Sequence, residues 1–248
     1  MGEIIRIPVT RLEEGKRFHN ADVSEALAAC QRAGYRALFM PELIDARIAL
    51  PKDSAVWQSW WTTSSLIATG RGRRGTPVVI YAHIDNYFSN PENIRAAINQ
   101  GLIDGAGIMP EEEFYRLLDK EDSQNVYVVD YASLENAGSD AFRIKNAIRH
   151  PQTIPFLGGE ERAEQCLKQY RKFYSNWIEI LYFDKLGEKP VGRLLSLEYY
   201  GALGGEAFYS PGRFLGVRSE VALSDAQKTA ASTLDNLIQN DLSNLKEA

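Results

Sequence analysis

The chain has 248 residues, 44% of them hydrophobic and 25% charged, and its formal net charge at pH 7 is −5. This composition is typical of a globular protein and excludes disorder along the whole chain. The acidic balance argues against a generic nucleic-acid coat, which needs an excess of Lys and Arg over its surface. Two cysteines, Cys30 and Cys166, are too few for a disulfide framework or a Cys-rich zinc site, and we expect both to be buried.

The length favours one domain over residues 1–248 rather than two thinly packed ones. The N-terminus lacks the basic and apolar regions of a signal peptide, and no apolar run approaches the length that spans a bilayer. We therefore expect a cytoplasmic protein with no membrane partner.

The first predicted elements are a strand at 4–9 and a helix that begins at a capping-box variant, Asp22 followed by Glu25. Apolar residues then recur at helical spacing until Gly34, which is typical of a helix end. A short apolar run at 35–40 predicts the next strand. Residues 57–84 predict a β-hairpin, because two β-branched and aromatic segments flank a glycine-rich turn at 70–75.

The middle of the chain alternates predicted helices with one strand. A helix opens at Asn90 and Pro91 and ends at Gly101, and a second begins near Pro110. Residues 125–130 predict a short buried strand. Helices are then expected at 140–149 and after the glycine pair at 158–159.

The last third predicts a second hairpin region at 177–218, with strands at 177–183 and 191–200 joined by a turn. Ser224 with Gln227 forms a capping box for a long C-terminal helix. The whole pattern lies between α/β and α+β, and it predicts a mixed parallel and antiparallel sheet covered by helices.

The glycine-rich turn matches the dinucleotide-binding spacing at Gly70, Gly72 and Gly75. That motif requires a following helix, and the β-branched run after Gly75 predicts a strand, so the Rossmann interpretation fails. Three arginines on the turn favour either a site for a phosphate or nucleic-acid backbone or an ordinary solvated tip. These candidate substrate-binding residues are Arg71, Arg73 and Arg74.

Three apolar runs end in aspartate, at Asp85, Asp130 and Asp184. If the runs are parallel neighbours, their carboxyl ends meet at one sheet edge, where open α/β sheets bind ligands. Asp85 and Asp130 would then hold Mg²⁺ or Mn²⁺, and His83 would share a face with Asp85. The alternative is that each aspartate serves a turn or a helix cap.

A further cluster of glycines, tyrosines and charged residues follows residue 197. Glu198 or Glu206 would act as an acid or base, and Arg213 with Arg218 would clamp an anion. A surface β-hairpin with ion pairs is the alternative. Three tryptophans at 57, 60 and 61 are typical of a core, and otherwise of a stacking platform.

The leading hypothesis from these patterns is a metal-assisted hydrolase or phosphotransferase acting on a phosphate-bearing small molecule or nucleotide. Its catalytic residues would be His83, Asp85, Asp130 and Glu198. The first alternative is a non-catalytic module that binds nucleic acid or protein through the arginine-rich hairpin at 70–76 and exposed aromatic residues. The second is a homo-oligomeric subunit assembled through the C-terminal helix.

Overall fold

The computed structural model describes residues 15–121, 123, 125–138, 140–180, 184–198 and 202–218. The predicted strand at 4–9 and the predicted helix from Ser224 lie outside the described residues, as does the oligomer contact that the helix was expected to make. No helix within the described ranges is long and apolar enough to cross a membrane.

The helices of the described residues have the following bounds: α1 Val23–Arg32, α2 Met40–Ala49, α3 Pro91–Gln100, α4 Glu111–Leu118, α5 Tyr131–Ala137, α6 Ile144–Ala147, α7 Thr153–Leu157 and α8 Glu160–Phe173. The α1 helix begins as predicted, since the Asp22 carboxylate accepts hydrogen bonds from the Ser24 and Glu25 amides. Asn90 caps α3 in the same way, with Pro91 in the first turn.

The strands belong to one sheet: β1 Lys16–Asn20, β2 Tyr35–Ala37, β3 Trp61–Arg71, β4 Pro77–Ala82, β5 Gly107–Ile108, β6 Val126–Asp130, β7 Asp140–Arg143, β8 Trp177–Ile180, β9 Val191–Leu197, β10 Leu203–Gly205 and β11 Gly212–Arg218. The main order is β1-β11-β3-β9-β10-β8-β7, with β4 and β6 continuing from another part of β3. The protein is therefore an α+β fold with a mixed sheet.

The predicted hairpin at 57–84 is confirmed, because β3 and β4 pair in antiparallel fashion from Leu66 opposite Ala82 to Arg71 opposite Pro77. On its other side β3 pairs antiparallel with β9, while its first residues pair parallel with β11. The long strand β3 thus pairs with β4, β9 and β11 and connects most of the sheet.

The hairpin predicted between 177–183 and 191–200 is wrong. The short strand β10 lies between β8 and β9, parallel to β8 and antiparallel to β9. Leu203 pairs with both Ile180 and Leu197, so a three-residue strand far along the chain occupies the position predicted for a direct neighbour. Sequence adjacency predicted the partner, and long-range pairing overrides it.

The predicted helix at 140–149 is also partly wrong. Residues 140–143 form β7, which pairs with β8 and sets Phe142 opposite Ile178, and only the short helix α6 follows. Cross-strand pairing outweighs the helical propensity of this segment. The strand predicted at 35–40 stops at Ala37, because α2 begins at Met40 with Pro41 in its first turn.

Each face of the sheet carries its own hydrophobic core. Along β3, Ile67 points into one core, and its neighbours Leu66 and Ala68 point into the other. The first core is covered by α2 and α5–α8, and the second by α1, α3 and α4. Coverage of both faces explains why every residue of β3 from Trp61 to Gly70 is buried.

Candidate functional site

The two carboxylates predicted to share a metal ion, Asp85 and Asp130, lie at opposite ends of neighbouring strands. The strands β4 and β6 are antiparallel, and Asp130 pairs with Val78 at the start of β4, whereas Asp85 follows the end of β4. Asp130 instead caps α5, because its carboxylate accepts hydrogen bonds from the Ser133 amide at 2.9 Å and hydroxyl at 3.0 Å. The premise of a shared Mg²⁺ or Mn²⁺ site is therefore wrong.

No group of three or more His, Cys, Asp or Glu side chains gathers around a common point in the described part of the chain. The third aspartate, Asp184, is buried and forms an ion pair with Arg193, whose Nε lies 3.0 Å from its Oδ2. The same guanidinium donates to the Asp104 carbonyl at 2.9 Å. Asp184 thus has a structural partner of its own.

His83 is buried away from the exposed Asp85 and belongs to a hydrogen-bonded chain. Its Nε2 lies 2.8 Å from the Pro155 carbonyl, which can only accept, so this nitrogen carries the proton. Its Nδ1 accepts from the Ser65 hydroxyl at 2.9 Å, and that hydroxyl accepts from the Met40 amide at 2.7 Å. Burial lowers the pKa of His83 to about 4. This neutral histidine joins β3, α2 and α7.

The arginine-rich turn lies at the far end of β3 and faces solvent. The Arg73 guanidinium pairs with the Asp119 carboxylate at 2.7 Å and lies 4.8 Å from the Tyr115 ring centroid. Arg71 donates to a carbonyl within the turn at 3.2 Å. Arg74 has no hydrogen-bond or ion-pair partner in the part of the chain that the structure describes. Two guanidinium groups of the turn, those of Arg71 and Arg73, therefore have partners, whereas that of Arg74 has none among the described residues.

A second set of predicted residues meets at the opposite end of β3. The Arg213 guanidinium lies 4.8 Å from the Trp60 ring centroid and also hydrogen-bonds the Ser59 hydroxyl. The His19 ring meets Trp60 edge-on at 6.2 Å, and the Arg17 guanidinium lies 5.9 Å from the Trp61 ring. We call the solvent-accessible residues of this cluster the Trp60 surface: Arg17, His19, Trp60 and Arg213.

The register of β1 against β11 brings these side chains together. His19 pairs with Arg213, and Arg17 pairs with Leu215, so alternate residues of two adjacent strands project from one face. Trp60 immediately precedes β3, whose residue Thr62 pairs with Phe214 of β11. The local strand alternation therefore determines which basic groups surround the indole.

Two glutamates lie near this end of the sheet. Partial burial raises the pKa of Glu198, while the charges of Arg47 and Arg213 oppose that rise. Burial and the neighbouring Glu198 raise the pKa of Glu206 to about 7, although Ser210 and Thr62 donate hydrogen bonds to it. Near neutral pH the cations of this region are therefore only partly compensated.

Arg213 and Arg218 do not form the predicted anion clamp. Arg213 begins β11 opposite His19, whereas Arg218 ends the strand opposite Tyr35. Side chains five residues apart on a strand project from opposite faces, and their Cα atoms are about 16 Å apart. Only Arg213 belongs to the Trp60 surface.

Arg47 supports the Trp60 surface from below, and our sequence analysis missed it. This residue is 1% exposed, and it donates to the carbonyls of Val56, Ser59 and Glu198 at 3.0, 3.3 and 3.1 Å. Burial lowers its pKa to about 10, so it stays protonated at neutral pH. The available signal was a lone arginine between Ala46 and Ile48 in an apolar helix.

The sequence is similar to that of a solved structure described as showing the accommodation of massive sequence variation in Nanoarchaeota by the C-type lectin fold. The two sequences are 48% identical, the match covers 82% of this chain and 97% of that chain, and the TM-score is 0.77. No protein-family model and no curated protein matches the sequence.

This similarity overturns the leading hypothesis from the sequence. The metal-assisted hydrolase or phosphotransferase is wrong, and neither nucleotide nor nucleic acid is supported as a partner. The residues proposed for that chemistry also fail to converge, since His83 is internal and Asp85 and Asp130 lie apart. The alternative of a non-catalytic binding module agrees better with the findings.

Proposed function

We propose that this chain, which belongs to the C-type lectin fold family, is a non-catalytic binding protein that uses the Trp60 surface to bind a carboxylate-rich protein partner. The observation that carries the proposal is the 48% identity to a C-type lectin fold over 97% of that chain. The chemistry of the Trp60 surface then supports the kind of partner.

The side chains of the Trp60 surface are of the types that dominate protein interfaces. Tryptophan and arginine are enriched among residues whose removal costs most binding energy, because they combine apolar area with directed hydrogen bonds. Stacking on Trp60 holds the Arg213 guanidinium in place, so less side-chain entropy is lost on binding. A preorganised guanidinium is well suited to a carboxylate, which it contacts through two parallel hydrogen bonds.

The charge of the surface favours an acidic partner. The surface contains two arginines, Arg17 and Arg213, while burial raises the pKa of the nearby Glu206 to about 7 and so weakens the negative charge beside them near neutral pH. Complementary charge steers association and excludes basic partners. Because the whole chain has a net charge of −5, an acidic partner is repelled by the protein overall and attracted by this local excess of cations. The charge distribution therefore directs such a partner to this face.

The related protein is described as a fold that accommodates massive sequence variation, and we propose the same property for the Trp60 surface. Arg47 holds the loop before β3 and the end of β9 through backbone carbonyls alone. Every residue type provides such a carbonyl, so exposed side chains on these segments can change while the backbone stays in place.

C-type lectin folds often bind calcium. Calcium needs six to eight oxygen ligands, usually including several carboxylates. The described residues contain no cluster of three or more acidic or other metal-binding side chains, and the nearby Glu198 and Glu206 have raised pKa values. These residues do not fit a calcium site, and the proposed binding requires no metal.

The test uses a biotinylated peptide of alternating glutamate, serine and leucine, and a lysine counterpart of the same length, in biolayer interferometry. We expect saturable binding to the acidic peptide alone, weakened at least about tenfold by Arg213→Ala and by Trp60→Ala. Arg218→Ala is the matched control, since it removes an exposed arginine from the other end of β11. It is expected to bind like the wild type.

Equal binding by the wild type and both surface variants would contradict the proposal, as would hydrolysis of p-nitrophenyl phosphate above the buffer rate. An array of neutral and uronate-containing oligosaccharides provides the second arm. If the protein binds an oligosaccharide on this array and does not bind the acidic peptide, the partner of the Trp60 surface is a glycan and not a protein.

A further inference from the structure

A groove of about 410 Å³ opens at the end of the sheet opposite the Trp60 surface. It lies between the arginine-rich turn, the end of α4 and strand β6. Its volume falls in the range of natural ligand sites, about 300–1,000 Å³. The groove and Trp60 lie at opposite ends of β3. An extended strand of 11 residues is about 33 Å long, so the two sites are separated by about that distance.

The two sides of the groove rim carry opposite charges. On the turn side, Arg74 supplies a guanidinium that has no hydrogen-bond or ion-pair partner among the described residues, and the neighbouring Arg73 forms an ion pair with Asp119. The amides of Arg73 and Arg74 have no backbone acceptor among the described residues, so they add donors at the same place. Glu121 and the capping Asp130 form the acidic side. A complementary ligand is negative at one end and positive at the other.

The floor of the groove is apolar and partly exposed. It consists of Val78 on β4, Leu118 at the end of α4 and Val128 on β6. A ligand that covers these side chains removes apolar surface from water, at a gain of about 25 cal/mol per Å². The ligand therefore needs an apolar group between its two charged ends.

The strand β6 also has an unpaired edge. Among the described residues it pairs with β4 alone, and it contains Val126, Tyr127, Val128 and Val129 without a lysine or proline. Such an edge leaves backbone donors and acceptors open to an incoming strand. Addition of an extended peptide to a sheet edge is a common mode of recognition, in which side-chain sites provide the specificity.

We infer that the groove binds an extended peptide segment that pairs with the free edge of β6, places an apolar side chain over Val128 and a carboxylate on Arg74, and sets a basic side chain near Glu121. This second site goes beyond the proposed function, because it shares no residue with the Trp60 surface. A protein with both sites would hold two partners, or two parts of one partner, at opposite ends of its sheet.

The experiment uses a fluorescein-labelled peptide with blocked termini, aspartate–threonine–valine–threonine–lysine, whose first, third and fifth side chains share one face of an extended strand. An analogue has asparagine in place of aspartate. Fluorescence anisotropy measures the affinity of each for the wild type, Arg74→Ala and Arg218→Ala. We expect the wild type to bind the aspartate peptide at least about fivefold more tightly than the asparagine analogue. Arg74→Ala is expected to bind the two equally, because the carboxylate has lost its partner.

Arg218→Ala serves as the matched control and is expected to behave like the wild type, because Arg218 is exposed and belongs to neither the groove nor the Trp60 surface. Arg74→Ala is expected to bind the glutamate peptide of the Trp60 assay like the wild type, so failure of this site and failure of the Trp60 surface are distinguishable. A peptide N-methylated at alternate residues blocks strand pairing and is expected to bind at least about fivefold more weakly. The inference is overturned if the aspartate peptide does not bind, if Arg74→Ala still distinguishes the two peptides, or if N-methylation changes nothing. An unchanged melting temperature of Arg74→Ala excludes unfolding as the cause of its loss.

Discussion

The Arg47 guanidinium lies 5.0 Å from the centroid of the Trp57 ring, and the Trp57 indole N–H donates to the Arg47 carbonyl at 2.7 Å. Both side chains are almost completely buried. Because the guanidinium also donates to three loop carbonyls, this pair joins α2 to the segment before β3 and to the end of β9. It forms the rigid base of the Trp60 surface.

Replacing Arg47 with methionine should lower the free energy of unfolding by about 3–5 kcal/mol, because three backbone carbonyls, those of Val56, Ser59 and the partly buried Glu198, lose their donor while the apolar volume is kept. Urea denaturation at pH 7 measures this change. Arg32→Met is the matched control: Arg32 is 67% exposed, and its replacement should cost less than about 0.5 kcal/mol. A loss below about 1 kcal/mol for Arg47→Met would contradict the role given to this residue.

The buried His83 makes stability fall in acid. Its pKa is about 4 in the folded protein and near 6.5 when unfolded, so the unfolded chain binds more protons between these values. Stability is therefore lost as the pH falls from about 6.5 towards 4, by up to about 3 kcal/mol. Urea denaturation across this range measures the slope.

His83→Gln should be less stable than the wild type at pH 7 and should lose most of that slope. His150, whose pKa is also lowered by burial, acts in the same direction. His150→Gln is therefore the control, and it should retain the larger part of the pH dependence. An unchanged slope in His83→Gln would show that the residue is not buried in its neutral form.

Glu206 affects the pH dependence of stability in the opposite direction to His83. Its pKa is about 7 in the folded protein against 4.5 when unfolded, so the folded protein binds more protons between these values. Stability is thus lost as the pH rises from about 4.5 through 7. Glu206→Gln should remove this loss and be about 2 kcal/mol more stable than the wild type at pH 8. The exposed Glu188→Gln should match the wild type at every pH.

Gly158 connects α7 to α8 in a left-handed conformation, with φ at 78°, and a Cβ added there would overlap the Pro41 ring. Gly158→Ala combines that overlap with backbone strain and should cost about 2–4 kcal/mol in thermal denaturation. Gly75 has a similar φ of 80° with open space around its Cβ position. Gly75→Ala should therefore cost only about 1 kcal/mol, and equal losses would refute the packing argument.

Local signals in the sequence predicted local structure well. The Asp22 cap, the Asn90–Pro91 helix start and the glycine-rich turn of the first hairpin are all confirmed. Each depends on contacts within a few residues, such as a side-chain oxygen that satisfies a helix amide. The predicted burial of both cysteines is confirmed for the same reason, since helical periodicity identifies the inner face.

Partners distant in sequence could not be predicted in this way. Three runs ending in aspartate looked equivalent, yet β4 and β6 proved antiparallel, which separates Asp85 from Asp130. Trp57, Trp60 and Trp61 looked alike as well, and only Trp60 reaches solvent beside Arg213. Strand direction and register are decided by pairing across the whole chain, about which a short segment carries no information.

Composition, caps and periodicity were thus enough to predict a protein of mixed α and β structure with a mixed sheet and the helices α1, α3, α4 and α8, because those features are encoded by neighbouring residues. The location of the Trp60 surface, the carbonyl network of Arg47 and the groove at the other end of β3 emerged from the packed fold. Each depends on residues brought together from distant parts of the chain, and their contact is a property of strand order and register rather than of any local pattern.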